Sequence, residues 1–178
     1  MKLVIGNKNY SSWSLRPWLL MRVLELPFEE VLIPLYTPGS REKLLAIVPS
    51  GKVPALIDGD LKVWDSLAIV EYLAEQYPGV PVWPADSEPR AIARSVAAEM
   101  HSGFSALRTH MPMNCRAELP GKGHTPEVLA DIARITTLWA DCRARFGGSG
   151  PFLFGAFSAA DAFYAPVVTR FLTYAVPL

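Results

Sequence analysis

Apolar positions recur along the chain in two rhythms, a short continuous run first and a helical spacing after it. Residues 2–6, KLVIG, read as a buried strand. Leu15, Leu19, Val23 and Leu26, with Trp18 beside them, then recur at helical spacing. Pro17 constrains where that helix begins. With Ser14 as N-cap, Leu15, Arg16 and Pro17 fill the first turn, where a missing N–H breaks no helical hydrogen bond. A start at Ser11 would set Pro17 deep enough to strain the helix. A second strand is read over 30–35, a loop over 36–39, and a short helix Ser40–Ile47 that stops at Pro49-Ser50-Gly51. Residues 53–57 and 61–64 flank Asp58-Gly59-Asp60, a hairpin signal, and Asp65-Ser66 opens an amphipathic helix over 67–77. The order is β-α-β-α-β-β-α.

After Tyr77 the run P-G-V-P-V-W-P packs prolines too densely for a regular element and reads as a linker over 79–86. Beyond it the pattern is helical, over 89–109, 126–146 and 158–174. The last of these opens on S-A-A-D, a capping-box pattern in which Asp161 reaches back to the Ser158 N–H, and its apolar residues all round predict a central position. The expected fold class is therefore α/β followed by all-α, with domains over 1–78 and 87–178.

Charge narrows the partners. Seventeen basic and seventeen acidic residues cancel without gathering into runs, so no electrostatic footprint for nucleic acid or an anionic membrane is visible. KLVIG is too short for a signal peptide, and no apolar stretch reaches the roughly 18–20 residues of a membrane span, which leaves the cytoplasm as the expected compartment. Cys115 and Cys142 form neither a C-x-x-C pair nor metal-ligand spacing, so dithiol redox chemistry and a metal site are both disfavoured.

Four motifs in order make the picture specific: S-S-W-S after the first strand, P-S-G-K-V-P-A-L at the third, D-S-L-A-I-V-E-Y-L on the next helix, and F-S-A-A-D-A-F-Y-A-P in the last third. Together they resemble the cytosolic glutathione S-transferases, and S-S-x-S looks most like the serine-type zeta class and its bacterial relatives. The resemblance implies a thioredoxin-like N-terminal domain that binds glutathione, a helical domain that supplies much of the second-substrate pocket, and a homodimer. Family members run on for several dozen residues past the capping-box helix, so the helical domain is expected to be truncated at its C-terminal end.

The implied chemistry suits the stretch Y-S-S-W-S. A free thiol with a pKa of about 8.5 is mostly protonated at pH 7, and the thiolate is the nucleophile. A hydroxyl donor beside a helix N-terminus stabilises the anion, and moving the pKa to about 6.5 takes about 2.7 kcal/mol. By match to the serine-type motif Ser11 is the sulfur ligand, Ser12 its helper and Tyr10 the alternative, since other classes use tyrosine; otherwise these hydroxyls are only turn and cap residues. The resemblance also implies a cis Val53–Pro54 bond, with the backbone of Val53 pairing with the cysteinyl part of glutathione. Asp65 and Ser66 would meet the γ-glutamyl carboxylate at a helix start that Asp65 can equally cap, and Lys52 would meet the glycyl carboxylate. Arg108 and Met111 are the candidates for the second-substrate pocket, against core packing for the methionine and a solvated face for the arginine. The implied function is conjugation of glutathione to small electrophiles, or glutathione-dependent isomerisation. The alternative is a non-catalytic glutathione-binding or protein-interaction module on the same fold.

Overall fold

The computed structural model describes all residues, Met1–Leu178, and divides into two compact units, Met1–Val82 and Trp83–Leu178. In the first unit the elements are β1 (Lys2–Ile5), α1 (Ser12–Val23), β2 (Glu29–Leu32), α2 (Ser40–Ile47), β3 (Ala55–Asp58), β4 (Leu61–Trp64) and α3 (Ser66–Gln76). The sheet order is β2-β1-β3-β4, with β1 and β2 parallel and the other two pairings antiparallel. β1 is an inner strand, and Leu3, Val4 and Ile5 are fully buried, as an uninterrupted apolar run requires. Alternation sends Val4 to one face, where it packs with Ile33, Leu44, Val48 and Ala55. Helices α1 and α3 pack on each other and on strands β1 and β3.

The start of α1 differs from the sequence expectation. Ser11, not Ser14, is the N-cap: its carbonyl accepts the Leu15 N–H at 3.1 Å and its Oγ accepts the Ser14 N–H at 3.4 Å. Pro17 consequently lies inside the helix, in its second turn. A proline there donates no helical bond, but the cap and the anchoring of Ser14 to Gly6, described below, hold the helix start three residues earlier than proline placement alone predicts.

The second unit holds α4 (Ser87–Ser102), α5 (Ser105–His110), α6 (Pro126–Phe146) and α7 (Ala159–Tyr174). The single helix expected over 89–109 is two. Gly103 is extended and Phe104 adopts a left-handed conformation at φ 57°, so the backbone turns between α4 and α5. A Cβ at Gly103 would stand 2.8 Å from the Glu99 carbonyl oxygen, a contact only glycine avoids. Helix α4 also starts two residues before Pro89, which falls within the first turn and breaks no bond. α7 buries Phe163, Val167, Phe171 and Tyr174, and the Tyr164 hydroxyl donates to the Val96 carbonyl at 3.1 Å. Its burial is not complete all round, because Val168 and Leu172 are exposed. No helix is long and apolar enough to cross a membrane.

Candidate functional site

The turn from β1 into α1 gathers hydroxyls. Ser11 is 8% exposed and Ser14 3%, and their Oγ atoms lie 2.8 Å apart, with Ser11 donating. Ser14 Oγ also accepts the Gly6 N–H at 3.1 Å. Glycine permits this approach: a Cβ on Gly6 would stand 2.7 Å from Leu35 Cδ1 and 3.2 Å from Ser11 Cβ. The Leu35 side of that contact is held by its own N–H, which donates to Asn7 Oδ1 at 2.7 Å. Tyr10, just before, is 57% exposed.

A cavity of about 570 Å³ opens among the loops of the first unit. Lys52, Val53, Pro54, Asp65 and Ser66 all line it, so the five residues expected to bind glutathione come together in space. The Val53–Pro54 bond is cis, as the resemblance implies. Asp65 is the N-cap of α3, its Oδ1 accepting the Leu67 N–H at 2.8 Å and the Ala68 N–H at 3.4 Å. That cap uses two first-turn donors other than Ser66, so capping and ligand recognition at this helix start are compatible.

Trp13, Ser50 and Trp64 complete the lining, and sequence reasoning singled out none of them. It also missed Arg16. This arginine is 2% exposed, its Nη1 donates to Ser66 Oγ at 3.3 Å, and its guanidinium lies 4.3 Å from the Trp13 ring centroid. It therefore ties α1 to the start of α3 and braces two residues of the cavity wall. The signal was present: position 16 is four residues before Leu20 on the core-facing side of α1, and a charge there is rarely buried without a job.

Ser11 and Ser14 line a second, more apolar cavity of about 180 Å³, with Ile5, Gly6, Lys8, Leu15 and Trp18. Its rim is fixed by charge. Glu30 bonds Lys8 Nζ at 2.8 Å and accepts the Trp18 indole N–H at 2.7 Å, with Arg22 at 3.7 Å. Burial would raise the Glu30 carboxyl, but the hydrogen bonds from Lys8 and Trp18 and the charges of Lys8 and Arg22 outweigh it and hold the group below its ordinary value. Ser12 and Tyr10 line neither cavity.

The two residues expected to line a second-substrate pocket both lie in the second unit. Met111 is fully buried, with no surface left for a ligand, and packs the core. Arg108 directs its Nη2 at the carbonyls of Met100 and His101, the latter at 2.9 Å, and so closes the C-terminal end of α4. Burial pulls its pKa down, against the charge of Asp131.

Both cysteines are free thiols. Burial, aided by the Asp141 charge, pushes Cys142 up to about 11, far from a reactive thiolate, whereas Cys115 is exposed. On the activity that the sequence resemblance implies, a Cys115→Ser/Cys142→Ser variant is expected to keep glutathione-dependent turnover. Loss of turnover in a folded variant would point to thiol–disulfide chemistry instead.

The chain is similar to known proteins in sequence and in fold. A family model describing the glutathione S-transferase N-terminal domain matches residues 10–76. The chain is 34% identical over 97 residues to a probable maleylacetoacetate isomerase of Caenorhabditis elegans, covering 54% of this chain and 45% of that protein. It is 31% identical over 153 residues to the glutathione S-transferase GstB of Escherichia coli, covering 81% of this chain and 67% of GstB. The chain spans about half the length of several other curated relatives it matches. Among solved structures, a holo maleyl pyruvate isomerase, a bacterial zeta-class glutathione S-transferase, aligns with a TM-score of 0.69 at 22% identity, covering 100% of this chain and 85% of that one. At that identity the structural likeness speaks for the fold, a thioredoxin-like α/β domain and a helical one. The GstB match runs through both units at a level that settles ancestry, and the chain belongs to the glutathione S-transferase family.

Proposed function

We propose that the protein activates the thiol of glutathione as a thiolate, for conjugation to small electrophiles or for isomerisation of a double bond through reversible thiol addition. The observation that carries this is the convergence of Lys52, Val53, Pro54, Asp65 and Ser66 on one cavity whose wall also includes Trp13, two residues beyond the α1 cap. In this reading the cavity takes glutathione, with Ser66 and the α3 N-terminus at the γ-glutamyl carboxylate, Val53 along the cysteinyl backbone and Lys52 at the glycyl carboxylate. Ser11 donates to sulfur, where the N-terminus of α1 adds its own preference for an anion. Ser12 assists from the first turn, and Tyr10, exposed and outside both cavities, orients rather than reacts. The name of the nematode relative supports the isomerase branch. A homodimer and a cytoplasmic location belong to the same reading, the latter supported by two unpaired cysteines.

Calorimetry with glutathione tests the binding half. Ser66→Ala and Lys52→Ala are each expected to weaken affinity about 10- to 100-fold, as losing one hydrogen bond to a charged group does. The second half is read from turnover with an activated aryl halide and with a conjugated cis-alkene diacid. Binding without turnover on either class would favour the non-catalytic module.

A further inference from the structure

We infer that Ser14 is a positioning residue for this reaction, a relay that orients and polarises the Ser11 hydroxyl through the chain Gly6 N–H, Ser14 Oγ, Ser11 Oγ. The inference rests on the reading of Ser11 as the sulfur donor. Two buried hydroxyls 2.8 Å apart share a single proton position between them, and either one can fill it, because a hydroxyl both donates and accepts. As the structure stands, the Ser11 proton occupies it and Ser14 accepts twice, from Ser11 and from the Gly6 N–H at 3.1 Å. A donor committed to Ser14 cannot serve a thiolate. If Ser11 turns its proton toward sulfur, the shared position falls to the Ser14 proton, and Ser14 loses nothing because the Gly6 N–H still fills one of its lone pairs.

The result is a series of donors that all point the same way: Gly6 N–H to Ser14, Ser14 O–H to Ser11, Ser11 O–H to sulfur. Each link polarises the next, and in a site shielded from water such chains strengthen their last bond. The Ser14 N–H reinforces the direction, since it already donates to Ser11 Oγ at 3.4 Å. Every feature of the local backbone serves this line. Gly6 lacks the Cβ that would collide with Leu35 and crowd Ser11, and its N–H is spent on Ser14 rather than on the sheet. Ser14 is only 3% exposed, so little of its surface is open to bulk water. A serine kept only to cap the helix would sit at the cap, and Ser11 occupies that position.

The test is the ultraviolet titration of the bound glutathione thiolate against pH for Ser11→Ala, Ser14→Ala, Ser14→Cys, Ser14→Thr and the Ser11→Ala/Ser14→Ala double variant. Ser14→Ala and Ser14→Cys are expected to raise the midpoint by about 0.5–1 pH unit, the size of one ordinary hydrogen bond. Ser14→Thr, which keeps the hydroxyl, should stay within about a third of that shift. The double variant should match Ser11→Ala alone, because a relay has nothing to act through once Ser11 is gone. A midpoint that moves with Ser11→Ala but not with Ser14→Ala or Ser14→Cys overturns the relay and leaves Ser11 in place. A double variant whose shift is the sum of the singles overturns it too, by showing an independent effect. No movement with Ser11→Ala removes the donor itself and the relay with it. Each titration is read as the difference between glutathione-bound and glutathione-free protein, so that the thiol of Ser14→Cys and the protein's own two cysteines cancel, and cysteine at 14 keeps the midpoint readable if alanine there prevents folding.

Discussion

Ser11→Ala is expected to lower turnover at neutral pH about 10- to 1,000-fold, the usual effect of deleting one preorganised donor to a developing or resident anion. Glutathione affinity should change little, because the residues proposed to hold the tripeptide line the larger cavity and Ser11 does not. The loss should shrink as pH rises: the bound thiol without its donor still ionises, only at higher pH, so alkaline conditions restore the thiolate. Ser11 is also the α1 cap, and the variant should lose about 0.5–2 kcal/mol of stability, so rates must be read well below its unfolding temperature. Tyr10→Phe is the control. At 57% exposure and outside both cavities, Tyr10 should leave the thiolate titration unmoved. Should the titration follow Tyr10→Phe and ignore Ser11→Ala, a tyrosine-type mechanism replaces the serine one.

The largest stability effect is expected at Asp161. Its carboxylate accepts the Ser158 N–H at 2.9 Å, the Leu153 N–H at 3.0 Å and the Ser158 hydroxyl at 3.2 Å, closing the start of α7 and pinning the preceding loop to it. Alanine removes the cap and strands two backbone donors in a partly buried place. The expected cost is roughly 2–4 kcal/mol, more than a solvent-exposed cap would show, or about 5–15 °C in Tm. Asp161→Asn keeps an acceptor and should recover part of it. The pH dependence follows from the direction of the titration. Burial raises the Asp161 carboxyl above its ordinary 3.8, and the hydrogen bonds from Leu153 and Ser158 offset this only in part. The folded chain thus holds this proton to higher pH than the unfolded chain. Stability from Asp161 declines as pH climbs from about 3.8 through the raised value. The gap between the parent protein and Asp161→Ala should narrow over that window, and a gap that widens there contradicts the assignment.

Much of this protein was legible in one dimension, where a local rule ties residue type to conformation. The β-α-β-α-β-β-α order followed from KLVIG, the helical spacing after it, and Asp58-Gly59-Asp60 between two short apolar runs. Asp161 reaching back to Ser158 could be read because a capping box spans only four residues. Ser11 and Ser66 could be singled out because a motif names residue types at fixed offsets. What these rules lack is any term for contacts between segments distant in sequence.

Only the tertiary structure decided the rest, and in each case a long-range contact overrode a local preference. Proline placement favoured Ser14 as the cap of α1, but the Gly6 N–H, eight residues away, takes the Ser14 hydroxyl and shifts the cap to Ser11. Arg16 reads as one more polar residue of a helix until Ser66, fifty residues on, meets its guanidinium in the interior. Met111 and Arg108 were singled out by position alone, whereas only the fold shows that Met111 is buried and that Arg108, half-buried, turns toward the carbonyls at the end of α4. The sequence alone determined which elements of the first unit form and where hydroxyl and helix-start chemistry is concentrated. Folding decided which of those groups face a cavity and which satisfy one another, because that depends on where a buried donor finds its acceptor, and pairing of that kind is settled by three-dimensional proximity.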